Sequence, residues 1–151
     1  METDDGPRFA QLLVGAFDAM VNEVREVLAQ AGHPDLSVGN EFAMQAIEGG
    51  ADSAADLARA LGVTRQAAAK TISALERLDY VDRSENNADA RRKRLVVTPR
   101  GREAITIGAR AFDVIYNNWS QRVGTDTAAM VASALRDLGA PQNSASSAAP
   151  G

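Results

Sequence analysis

Gln66, Lys70, Ser73 and Arg77 recur at intervals of three and four residues, and at about 100° per residue they fall on one line of a helix. Their side chains donate to, or accept from, base edges and phosphate oxygens, and no acid interrupts the line. Ala68, Ile72 and Leu75 form a stripe on the opposite side, suited to a core, and Glu76, the helix's only acid, falls toward that side. Thr64 and Arg65 stand at the N-terminal end, where free amides and the helix dipole favour phosphate. Further along, Asp89-Ala90-Arg91-Arg92-Lys93-Arg94 sets four cations in a row near one acid. A cationic ribbon of this kind can track phosphates or enter the minor groove, whose negative potential draws arginine. Recognition of double-stranded nucleic acid is the chemistry these groups share. The alternatives are a solvated charged face and a hairpin edge charged to block aggregation.

Other chemistries are poorly supplied. The absence of cysteine excludes disulfides, thiolate metal sites, cysteine nucleophiles and thiol redox switches. His33, the sole histidine, sits beside Pro34 and reads as a loop or capping residue rather than a general base. No HExxH, phosphate loop, GxSxG or cluster of metal ligands occurs, so neither an enzyme nor a metal or cofactor is expected. The net charge of −4 conceals a strong division: residues 1–58 balance at −9, 59–102 at +6 and 103–151 at −1. Approach to phosphate follows the local field, so the basic middle matters more than the total. With 45% apolar and 24% charged residues, the 151-residue chain should bury a core of its own. Its acidic start, METDDGP, is unlike a secretory signal, and no apolar run is long enough to span a bilayer; a cytoplasmic protein without a membrane partner is expected.

The elements that must position these groups read as mostly α. Phe9, Leu12, Leu13, Phe17, Met20, Val24 and Leu28 mark a long helix over 8–31, stopped by Gly32-His33-Pro34. Ser37 can cap a second helix that ends at Gly49-Gly50, and Ser53, with Asp56 three residues on, can cap a third. Thr64 caps the fourth, which reaches Leu78. Ala58 is small enough for the third and fourth helices to cross closely, and Gly62 permits the positive φ of the turn, which gives a helix-turn-helix. Residues 80–84 and 94–98 are β-prone, and the polar stretch 85–93 between them reads as a long charged hairpin tip. Thr98-Pro99 opens a fifth helix that ends near Val123-Gly124, and a sixth runs through Ala128 to Leu138. Residues 1–7 and 140–151 read as disordered, with 8–139 a single domain.

From Leu57 to Gly101 the chain resembles the winged helix-turn-helix of the MarR (multiple antibiotic resistance regulator) family. The resemblance rests on Leu61-Gly62-Val63-Thr64-Arg65, on Ile72, Leu75, Leu78, Tyr80, Val81 and Arg83, and on Asp89, Arg91, Lys93, Leu95, Val97, Thr98 and Gly101. Two departures stand out: Asp79 occupies a position where the family usually has glycine, and Ala67-Ala68-Ala69 offers fewer base contacts than usual. The resemblance implies a mostly α winged helix-turn-helix with one small hairpin wing. A DNA-binding lobe would span about 37–100, flanked by dimerisation helices over about 8–31 and 99–138. It also implies a homodimeric transcriptional regulator, expected to be a repressor, on a pseudo-palindromic operator; the first, fifth and sixth helices are independently too apolar for one small domain. The DNA-binding residues are then Ser53, Thr64, Arg65, Gln66, Ala67, Ala69, Lys70, Ser73, Arg77, Asp89, Arg91, Arg92, Lys93 and Arg94. Many relatives sense a small aromatic ligand, and Phe17, Phe42, Phe112, Tyr116 and Trp119 are the candidates to line such a site, with core packing as their alternative. The competing function is a winged-helix interaction module or antirepressor without autonomous DNA binding, which would not need Lys70 or the cations of 91–94.

By the same resemblance Asp89 fixes the wing by pairing with an arginine while Arg91 reaches DNA. An exposed ion pair contributes only about 0–1 kcal/mol, so Asp89→Ala should leave the melting temperature almost unchanged. DNA binding should weaken nonetheless, because an unpositioned wing must be ordered at each encounter. Tighter binding of that variant by fluorescence anisotropy would leave Asp89 an incidental surface acid.

Overall fold

A computed structural model describes the backbone of residues 4–86 and 89–140, and their side chains except at 85, 86 and 89–93. The element order is α1 (Asp5–Gln30), α2 (Val38–Glu48), α3 (Ala54–Leu61), α4 (Arg65–Arg77), β1 (Val81–Asn86), β2 (Asp89–Val97), α5 (Pro99–Val123) and α6 (Thr125–Gly139). This is a mostly α winged helix-turn-helix with one antiparallel two-stranded hairpin. No helix among the described residues is long and apolar enough to cross a membrane.

Two boundaries differ from the sequence expectation. The first helix begins at Asp5, three residues before Arg8. Pro7 lies in its first turn, where a missing N–H costs no intrahelical bond, and Asp5 favours the positive end of the helix dipole. The rest of the expected disordered start, residues 1–3, and the tail 141–151 lie outside the described residues. The hairpin strands also run well into the polar stretch 85–93, with a register irregularity between Glu85 and Asn86. Backbone pairing in a two-stranded ribbon does not require apolar side chains, so polarity was a poor guide to where the strands stop.

Contacts divide the chain into two compact units, residues 1–113 and 114–151. In the first, α2 is the hub: it touches α1, α3, α4 and β2, and buries Val38, Glu41, Ala43, Met44 and Ile47. The first stretch of α5 presents Gly101, Ala104, Gly108 and Ala111 as its buried stripe. These small residues permit close approach; a Cβ at Gly101 would overlap the Tyr80 carbonyl and stand 2.5 Å from Val97 Cγ1. By contrast, Phe9, Leu12, Val14 and Phe17 of α1 are exposed. In the second unit α6 follows Gly124, whose φ is +94°; Ala128 is buried, while Met130, Leu135 and Leu138 are exposed.

Four helices end in the same way, with a left-handed residue that lets two later amides return to the last carbonyls. After α1 the residue is Gly32, after α2 Gly50 and after α3 Gly62. After α4 it is Asp79, with φ +64°, the only non-glycine of positive φ among the described residues. Its amide bonds Glu76 O at 3.1 Å and the Tyr80 amide bonds Leu75 O at 2.9 Å, so the departure from glycine keeps the motif intact. Aspartate tolerates this conformation better than most residues but less well than glycine. Asp79→Gly should therefore raise stability by about 0.5–1 kcal/mol and Asp79→Ala lower it. Denaturant unfolding of the pair checks the order, and a more stable alanine variant would contradict it.

Candidate nucleic-acid interface

The helix-turn-helix is assembled from local signals. Ser53 caps α3 by accepting the Asp56 amide at 3.1 Å. The return bond of the expected capping box goes to the Asp52 amide at 3.4 Å, one residue earlier than in the usual box. Asp56 also pairs with Arg59. Gly62 (φ +67°) turns the chain, the Val63 amide closes on Ala58 O at 3.1 Å, and Thr64 caps α4 by accepting the Ala67 amide at 3.1 Å. Ser53 and Thr64 thus use their hydroxyl oxygens as caps and keep their hydroxyl protons available to an outside acceptor.

Along α4, Ala68, Ile72 and Leu75 are buried. Thr64, Arg65, Gln66, Ala67, Ala69, Lys70, Ser73 and Arg77 are all exposed. Among the described residues, the side chains of Arg65, Gln66, Lys70, Ser73 and Arg77 have no hydrogen-bond or ion-pair partner. Glu76, whose charge would oppose phosphate, is engaged by Arg83 of β1 at 3.0 and 3.2 Å. That pair, which the sequence reading missed, also ties the hairpin to the last turn of α4.

The hairpin stands beside this helix with Val81 opposite Val97 and Arg83 opposite Leu95. Leu95 and Val97 are buried, and the Leu95 amide reaches Asp52 O at 3.5 Å. Arg94 lies 3.6 Å from the Asp52 carboxylate, so this expected DNA contact already has a partner on the loop before α3. The side chains of Asp89, Arg91, Arg92 and Lys93 lie outside the described residues.

At the root of the hairpin, His33, in the loop after α1 as expected, is 2% exposed and its Nδ1 lies 2.8 Å from the Tyr80 hydroxyl. Arg100 donates to that hydroxyl at 3.3 Å and lies over the Tyr80 ring. Burial pushes the Tyr80 phenol above its ordinary range, against the opposing pull of Arg100, so it stays protonated near neutrality. If Tyr80 donates to Nδ1, the His33 proton sits on Nε2, which is buried without a hydrogen-bond partner and lies 3.6 Å from Glu103 Oε1. No local pattern marks such a cluster, since its members lie on α5, the hairpin and the loop after α1.

Of the candidate aromatic residues, Phe17 and Phe42 are exposed on α1 and α2, and Phe112 is half-buried on α5. Tyr116 and Trp119, on the later turns of α5, form a tilted ring pair with centroids 6.0 Å apart. Glu41, which the sequence reading passed over, is fully buried. Its signal was an acid on the otherwise apolar face that carries Val38 and Met44.

Residues 43–92 match the model of the MarR family. No curated protein matches the chain by sequence. Among solved structures, FabT of Streptococcus pneumoniae in complex with DNA is 21% identical with a TM-score of 0.70, covering 89% of this chain and 94% of its own. CouR of Rhodococcus jostii RHA1 bound to p-coumaroyl-CoA is 18% identical with a TM-score of 0.67, covering 92% and 94%. A mutant MepR of S. aureus bound to an oligodeoxyribonucleotide is 17% identical with a TM-score of 0.57, covering 86% and 94%. At these identities the likeness is one of fold.

Tyr80→Phe removes a buried partner of His33 and should cost roughly 1–3 kcal/mol. Arg83→Ala removes an exposed pair and should cost only about 0–1 kcal/mol. Equal losses in denaturant unfolding would show that the buried bond contributes nothing beyond the exposed one.

Proposed function

We propose that this chain, whose residues 43–92 match the model of the MarR family, is a sequence-specific DNA-binding transcriptional regulator. On this reading it binds a pseudo-palindromic operator as a homodimer and represses transcription there. The observation that carries the proposal is the line of Gln66, Lys70, Ser73 and Arg77, exposed and without an intramolecular partner among the described residues. Cations held toward water on the second helix of a helix-turn-helix, beside a cation-rich hairpin, suit phosphate neutralisation and base reading.

The homodimer is supported by each unit separately. The first unit leaves Phe9, Leu12, Val14 and Phe17 of α1 uncovered, and the second leaves Met130, Leu135 and Leu138 of α6 uncovered. Burying such surface is favourable by about 25 cal/mol per Å², and a second copy is the partner always at hand. Two-fold symmetry then suits reading helices about 34 Å apart on successive major grooves. The proposal places this activity in the cytoplasm, without catalysis, metal or cofactor, and includes release from DNA by a small aromatic ligand. CouR, of the same fold, was solved bound to p-coumaroyl-CoA.

The test is binding to duplex DNA enriched from a random pool, followed by anisotropy across a salt series, with sedimentation equilibrium for the dimer. Affinity should fall steeply with salt, since each neutralised phosphate contributes roughly −0.9 to the log–log slope. Lys70→Ala should weaken binding, and Gln66→Ala should alter sequence preference by about 1–3 kcal/mol if it holds a bidentate base contact. A salt-independent constant, or no binding, would favour the protein-interaction module instead.

A further inference from the structure

Glu41 is the one fully buried acid among the described residues, and neither of its carboxylate oxygens has a hydrogen-bond partner. It lies on the buried face of α2, one turn before Met44 and Gln45. Opposite it on α5 is Gly108, where a Cβ would overlap the carboxyl group; the acid occupies the room that the missing side chain leaves. One turn to either side of Gly108 lie Ala104, Ile105, Ala111 and Phe112, none of them titratable.

The charged groups on the elements packed against α2 are engaged elsewhere or face water. Glu23, Arg25 and Glu26 of α1 are exposed, as are Arg110 and Asp113 of α5. Arg102 of α5 donates to Val97 O at 2.9 Å and lies near Glu48, and Glu103 faces His33. On α3 Asp56 holds Arg59, Glu76 of α4 holds Arg83, and Arg94 of β2 lies against Asp52. Lys70 and Arg77 point to the exposed face of α4. None of these groups pairs with Glu41, so its environment disfavours the carboxylate and favours the neutral acid.

We propose that Glu41 is a proton-operated latch between α2 and α5: as a neutral acid it lets the helices close on each other at Gly108, and on ionising it admits water and loosens α2. Because α2 touches α3, α4 and β2, loosening it disturbs the placement of the reading helix and hairpin together. Burial pushes the carboxyl from 4.5 up to about 7, which sets the latch near neutrality. Between those two values the unfolded chain has lost its proton while the folded chain retains it. Stability therefore falls as pH rises through this window and levels off above it. Only the last step, the effect on DNA, rests on the proposed function.

The experiment uses the full chain, with thermal unfolding and hydrogen exchange of residues 38–48 and 101–112 at several pH values from about 5 to 8. Wild type should lose up to roughly a hundred-fold in its folding equilibrium constant over this range, with faster corrected exchange in both helices at the alkaline end. Glu41→Gln and Glu41→Leu should both flatten the profile and be the more stable forms at the alkaline end. In infrared difference spectra, a protonated carboxyl signal near neutrality should be present in wild type and absent from Glu41→Gln. A wild-type profile reproduced by both variants, or a carboxylate already ionised at the acidic end, would overturn the latch. Anisotropy on the enriched duplex at both ends of the range adds the functional arm, in which wild-type affinity should fall with pH and that of Glu41→Gln should not. Loss of the pH effect on stability refutes the latch whatever DNA does, whereas absent DNA binding beside an intact stability effect refutes the proposed function alone.

Discussion

The seating of Tyr80 governs how the helix-turn-helix and the hairpin are held together. The residue is 1% exposed and lies between the end of α4 and the start of β1. Its amide closes the C-terminal motif of α4 on Leu75, and its carbonyl accepts the Thr98 amide at 3.0 Å. Gly101 packs against that carbonyl so closely that no side chain fits, and the hydroxyl meets His33 and Arg100. The end of α4, the hairpin root, the first turn of α5 and the loop after α1 thus converge on one aromatic residue. A change in any one must be accommodated by the others, because interiors packed at this density leave little slack.

Thr98 extends the same constraint. It donates to Asp79 O at 2.7 Å while accepting the Gly101 amide at 3.1 Å, so one hydroxyl binds the turn that ends α4 to the turn that begins α5. The left-handed Asp79 is held on both sides, by the backbone closure of α4 and by this hydroxyl. An aspartate in place of glycine is tolerable in such a setting because its neighbours determine its conformation, at a cost of about 1 kcal/mol.

The parts of this architecture that were legible in the sequence are those set by neighbours in the chain. Ser37, Ser53 and Thr64 each accept the amide three residues on, as their positions before apolar-periodic segments suggested. Gly62 takes the positive φ that the helix-turn-helix needs, and the stripe of Ala68, Ile72 and Leu75 is buried. What was not legible depends on residues far apart in sequence. The length of the hairpin is set by pairing across the ribbon, not by the polarity of 85–93. His33 gave no hint of its bond to Tyr80, 47 residues away, and Glu41, although an acid on an apolar face, gave no hint that Gly108 would make room for it.

Electrostatics bears on how an acidic chain could serve the anionic partner proposed for it. Three acids around the helix-turn-helix are countered in place: Asp56 by Arg59, Glu76 by Arg83 and Asp52 by Arg94. Each such pair is worth little to stability at an exposed site. Its larger effect is on the field: an acid beside an arginine no longer repels phosphate strongly, whereas Arg65, Lys70 and Arg77 are exposed and have no ion-pair partner among the described residues. Glu41 follows the opposite logic, removed from water with no cation beside it and relieved only by holding a proton. Asp56, Glu76 and Asp52 meet arginines at the surface whereas Glu41 lies in the core without one, so the latch proposed for Glu41 would act on the interior of the lobe and not on the exposed line of α4.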